Sequence, residues 1–115
     1  MASPLASRIA ALNDAFRTGD PHVPGQRVLT AGAVELLKRT ETNADEVMRL
    51  VIDFNDFTEA NDPQGDHDFG QFKFLGETWF WKIDANDKDY QLGSEDPLDL
   101  TITNRVLTIM LAEEW

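Results

Sequence analysis

Leu5, Ile9, Leu12 and Phe16 recur at spacings of four, three and four, which places them on one face of an amphipathic helix. Ser3-Pro4 supplies an N-cap followed by proline at the first helical position, and Gly19-Asp20-Pro21 stops the run. Residues 19–26, with two prolines and two glycines, form a connector. Arg27-Val28-Leu29-Thr30 reads as a short strand. Ala33 to Leu37 reads as a second one, although so short an apolar run also fits a helical turn. Asn43-Ala44-Asp45-Glu46 has capping-box spacing and opens a helix over 43–57. Val47, Leu50, Val51 and Phe54 line its apolar face, and Asp45, Glu46, Asp53 and Asp56 fall on the opposite arc with Arg49 among them. Phe69 to Phe74 alternates apolar with polar or small residues, Thr78 to Ile83 is rich in strand formers, and Leu75-Gly76-Glu77 between them has hairpin length. A third short strand is expected near Tyr90-Gln91-Leu92. The segment Gly93 to Pro97 then resets the chain. In the last element Ile102, Val106, Ile109 and Met110 suit a buried helix over 101–113, although Thr101-Ile102-Thr103 would also suit a strand. The expected fold is α+β: a small antiparallel sheet centred on a 69–83 hairpin, with helices near 5–17, 43–57 and 101–113 packed mainly on one face.

A chain of 115 residues is one domain, with an N-terminal helix and connector over 1–20 ahead of a core over 27–115. The apolar fraction of 42% is enough for a packed core, so the acidity is not that of a disordered tail. That acidity, a net charge of -11, is unevenly spread. Residues 1–40 hold five basic and three acidic side chains, whereas residues 41–70 hold nine acids against Arg49 alone. Direct nucleic-acid binding is disfavoured, because phosphate neutralisation needs a basic stripe. A basic partner surface or a cation is favoured instead. With no cysteine, there is no disulfide framework, thiolate site or cysteine nucleophile. No signal-peptide pattern and no membrane-length apolar run is present, so a cytoplasmic protein is expected.

Several strings then stand out: Phe54-Asn55-Asp56-Phe57-Thr58, Asn61-Asp62-Pro63, Gly65-Asp66-His67-Asp68-Phe69-Gly70, Phe80-Trp81-Lys82-Ile83-Asp84, and Arg105 to Ala112. Together they resemble a bacterial family of small acidic proteins of unknown function, met on plasmids and in mobile regions. The resemblance runs from about Arg27 to Trp115 and implies no activity or site. The chain departs from the family pattern mildly, with Asp66 where glutamate is usual before the histidine and Trp115 where tyrosine is common.

His67 between Asp66 and Asp68 has two chemical readings, as a general base beside carboxylates or as a metal ligand with Asp62, Asp68 and Asp84. The plainer alternative is a loop closure in which Asp62 or Asp66 caps the backbone and His67 holds the loop onto the sheet. Magnesium held by carboxylates alone stays open. Asp68-Phe69-Gly70 looks like the kinase metal-binding triplet, but the chain lacks the length and the glycine-rich loop that chemistry needs. Residues 84–89 look like a calcium loop, but Lys88 takes the third ligand position.

Trp79 and Trp81 share one strand face, either buried under helices or exposed as an interaction anchor. The leading expectation is a non-enzymatic interaction protein without cofactor. Its surface of Asp45, Glu46, Asp53, Asp56, Glu59, Trp79 and Trp81 engages a protein's basic nucleic-acid-binding surface, in the manner of an inhibitor of a restriction or CRISPR effector. The alternatives are a small metal-binding or acid–base enzyme at the 62–68 loop, and an obligate dimer or accessory structural protein.

Overall fold

The Ser3 hydroxyl accepts a hydrogen bond from Ala6 N at 3.0 Å and so opens α1 (Pro4–Arg17), with Pro4 at the position where a missing N–H costs nothing. The computed structural model describes residues 3–115. After α1 come β1 (Gly25–Leu29), α2 (Ala31–Arg39), α3 (Ala44–Ile52), β2 (Phe69–Phe74), β3 (Glu77–Asn86) and β4 (Asn104–Leu111), then a 3-10 turn, Ala112–Glu114. The strands form one sheet in the order β1-β4-β3-β2. β2 and β3 make the expected hairpin. Leu75 and Gly76 form its two-residue turn, both at positive φ (54° and 75°), as the twist of a tight hairpin requires.

The α+β class holds, with three helices on one face, but four expectations about its parts do not. The sheet is mixed rather than antiparallel, because β1 pairs parallel with β4. The last element is a central strand, not a helix over 101–113. Arg105, Leu107, Ile109 and Leu111 point to the core at period two, and the intervening Val106 and Met110 are apolar as well, which hides the alternation. Ala33 to Leu37 lies in α2 rather than in a strand, with Ala33, Leu36 and Leu37 as its buried stripe. Tyr90 to Leu92 is not a strand. β3 instead runs on to Asn86, which bridges Gly93.

Glu114 explains why α2 begins where it does. Thr30 at the N-cap makes no side-chain capping bond, and the Glu114 carboxylate takes that role, accepting from Gly32 N at 2.9 Å and Thr30 Oγ1 at 2.6 Å. Burial alone would push this carboxyl's pKa up. Hydrogen bonds from Thr30, Leu111, Gly32 and Ala33 outweigh that and hold it below the usual range.

The core lies between the helices and one sheet face. Trp79, Trp81, Leu107 and Ile109 are fully buried there with Val47, Val51, Ala33 and Phe16. Gly70 must be glycine, since a Cβ would sit 2.2 Å from Trp81 Nε1.

Two arginines are also in the core. Arg17 donates through Nη1 to the carbonyls of Val51, Ile52 and Phe54 at 2.8, 3.0 and 3.0 Å, which caps the C-terminal end of α3. Its guanidinium also lies over the Phe57 and Trp81 rings. Arg105 is wholly buried, donating from Nε to Asn13 Oδ1 at 2.8 Å and from Nη2 to Pro97 O at 2.9 Å. Desolvation lowers its pKa from the ordinary arginine value.

Candidate functional site

α3 ends at Ile52, five residues short of the expected boundary, because Phe54 and Phe57 leave the helix to pack edge-on against Trp81 at 5.4 and 6.2 Å. A self-capping turn follows. Thr58 N donates to Asn61 Oδ1 at 2.8 Å, Asn61 N donates to Thr58 Oγ1 at 3.3 Å, and Asn61 Nδ2 reaches back to Asp56 O. This turn delivers Asp62 inward, with its side chain only 6% exposed, where Oδ1 accepts from His67 N at 3.3 Å. His67 itself has φ 54°, an uncommon left-handed conformation for a residue with a side chain.

The ring of His67 is fixed on three sides. It stacks on Phe57 at 3.8 Å with 5° between the planes. Nδ1 lies 3.0 and 2.9 Å from the two carboxylate oxygens of Asp14, on α1. Nε2 faces Asp62 Oδ2 at 3.6 Å. Asp14 is in turn bonded to Arg17 at 3.0 Å, so the loop connects to the buried arginine through one carboxylate. An open cleft of about 440 Å³ lies between α1 and this loop, and Asp14, Phe57, Glu59, Asp62 and His67 line it.

Of the sequence-predicted ligands, Asp62, Asp66 and Asp68 converge, each offering a carboxylate oxygen within 4.8 Å of the others. Asp84 does not join them and pairs with Lys82 at 3.0 Å. Burial, then the adjacent negative charge of Asp66 and a hydrogen bond to it, push the Asp68 carboxyl up to about 6. Asp62 adds a smaller push in the same direction.

Asp45, Glu46 and Asp53 are exposed along α3 and its C-cap, with Arg49 3.8 Å from Asp53. Asp56 and Glu59 are exposed as well, but in the loop rather than on a helical arc. Trp79 and Trp81 are 0% exposed and cannot touch a partner, so the reading of an exposed tryptophan pair is corrected. They are buried because the hairpin turns that face to the helices. The exposed tryptophan is Trp115, at 70%.

The model of one protein family, described as a protein of unknown function (DUF3768), matches residues 28–114. The chain belongs to that family. The DUF3768 span takes in α2, α3, the 53–68 loop and the β2–β4 strands, but not α1, which supplies Asp14 and Arg17. No curated protein and no solved structure matches the chain. Among the described residues, no helix is long and apolar enough to cross a membrane.

The raised Asp68 value carries a stability consequence with a definite sign. A carboxyl at about 6 in the fold against 3.8 unfolded binds its proton more tightly when folded, so its contribution is present in acid and lost as pH rises through 6. Replacing Asp68 with asparagine should therefore stabilise the protein at pH 7.5 by about 1 kcal/mol, the partial exposure of the group being allowed for. Urea midpoints of Asp68→Asn and the parent should converge near pH 4, and an equal gap at both pH values would show that the carboxyl is not under strain.

Proposed function

We propose that this DUF3768 protein is a non-enzymatic binding protein whose acidic face engages the basic nucleic-acid-binding surface of another protein and so competes with nucleic acid. The observation that carries this reading is the partition of charge. Two of the ten basic side chains, Arg17 and Arg105, are buried, while Glu41, Asp45, Glu46, Asp53, Asp56 and Glu59 are all exposed with Arg49 as the one cation in that stretch. The exterior is thus more acidic than the sequence total. A face of this kind speeds encounter with a basic partner and repels nucleic acid, as an inhibitor of a bacterial defence nuclease such as a restriction or CRISPR effector would need. The test is affinity capture from cells with the parent and with Asp45, Glu46, Asp53 and Asp56 all changed to lysine. The captured protein should be displaced by DNA or RNA, should bind more weakly as salt rises, and should lose about 100-fold in affinity for the variant. Unchanged binding to a folded variant would overturn this reading.

A second reading rests on the convergence of Asp62, Asp66 and Asp68 beside His67: a cation-binding centre, or an acid–base centre working through the same groups. It predicts that titration calorimetry with magnesium, manganese, calcium or zinc gives micromolar binding that Asp68→Ala or His67→Ala removes. Absence of heat with all four ions would dismiss the cation form.

A further inference from the structure

The helices cover only one face of the sheet. Phe69, Phe80 and Val106, all half-buried, and Met110, 4% exposed, alternate to the other face and take no part in the helix-packed core, and Val28 and Trp115 are the exposed apolar side chains there. The register aligns them into continuous rows. Val28, Thr108, Lys82 and Phe69 lie side by side across all four strands, and Met110, Phe80 and Gln71 form the adjacent row. Trp115 caps this surface while staying 70% exposed, its ring edge-on to Phe69 at 5.4 Å and to Phe80 at 5.7 Å. The Lys82 ammonium lies 6.0 Å from the same ring.

The charge of this face differs from that of the rest of the chain. The charged side chains the strands direct to it are Lys73, Lys82 and Asp84, and Glu114 lines the hollow beside Trp115, so the face is near neutral on a chain of -11. Elsewhere two copies of so acidic a protein repel each other, and here they do not. Lys82 and Asp84 already neutralise one another at 3.0 Å, so apposing two such faces buries no unmatched charge. The size also suits self-association. Four strands spaced about 4.8 Å apart and averaging about 24 Å in length present roughly 450 Å² of flat sheet per copy. Two copies with side-chain relief therefore bury about 1,000 Å² or more, the lower end of a specific interface.

We propose that a second copy of this chain docks on the open sheet face, sheet against sheet about a two-fold axis, with Trp115 and Phe80 as its anchors. Aligned sheets pack about 10 Å apart through such side chains. The arrangement leaves the α3 face of each copy pointing outward, so the dimer displays two acidic faces. The proposal does not depend on what those acidic faces bind.

Sedimentation velocity at about 5 and about 500 µM tests it, a range chosen because weak, transient associations sit at this small end of interface sizes. The parent should move from monomer towards doubled mass, and Trp115→Ala and Val28→Lys, at exposed positions that leave the core intact, should each remain monomeric at the higher concentration. Acrylamide quenching gives a second readout, because Trp79 and Trp81 are buried and Trp115 supplies the accessible emission. That accessible fraction should fall as the parent associates. A parent that stays monomeric at 500 µM would overturn the proposal, as would a dimer indifferent to both substitutions or a different protein occupying the face without self-association.

Discussion

One guanidinium joins most of what gives this protein its shape. Arg17 comes from α1, caps three carbonyls at the end of α3, lies over Trp81 from the hairpin and Phe57 from the loop, and binds the carboxylate that orients His67. A buried cation is costly unless its donors are used; here Nη1 meets three carbonyl oxygens and Nη2 meets Asp14, while Nε is buried without a hydrogen-bond partner. α3 stops at Ile52 because its last carbonyls are already taken and Phe54 and Phe57 turn away to the tryptophan. The 58–67 loop can then close back onto α1 through Asp14. The fold and the candidate site share this one node.

The same economy sets the surface. Arg17 and Arg105 answer the needs of carbonyl oxygens, Asn13 and Asp14, and neither meets the acids of residues 41–70. Glu41, Asp45, Glu46, Asp53, Asp56 and Glu59 stay outside, whereas Asp62 is drawn in to hold the backbone of His67 and Asp66 and Asp68 are half-buried beside it. The helix-covered side is therefore strongly negative, and the open sheet side is apolar and near neutral. An acidic binding face and a separate self-association face follow from this one division.

Much of this was legible in the residues. The α1 start, the Asn43 cap and the hairpin depend on local chemistry, and local chemistry was sufficient to place them. β4 is not legible locally because a central strand is apolar on both sides, so its alternation is masked and the 4-3-1 spacing of Ile102, Val106, Ile109 and Met110 looks helical. The parallel pairing of β1 depends on a partner 80 residues away, which no local pattern carries. The site was half legible. The 62–68 loop drew attention through its Asp-His-Asp run, but its decisive partners, Asn13, Asp14 and Arg17, are polar residues on a helix whose Leu5-Ile9-Leu12-Phe16 stripe pointed elsewhere. In the structure the buried face of α1 is Ala10, Asn13, Phe16 and Arg17, while Leu5 is 57% exposed. The polar residues within three or four positions of Phe16 were the available signal.

The most direct test of Arg17 as the central node is equilibrium urea unfolding of Arg17→Met, which keeps the volume and removes the donors. Because the carbonyls of Val51, Ile52 and Phe54 and the Asp14 carboxylate would lose their shared partner, the loss of stability should be about 3 kcal/mol. The same change at the exposed Arg49 should cost no more than about 0.5 kcal/mol. An Arg17→Met protein as stable as the parent, or more stable, would contradict the account, since methionine packing alone would then hold α1, α3 and the hairpin together.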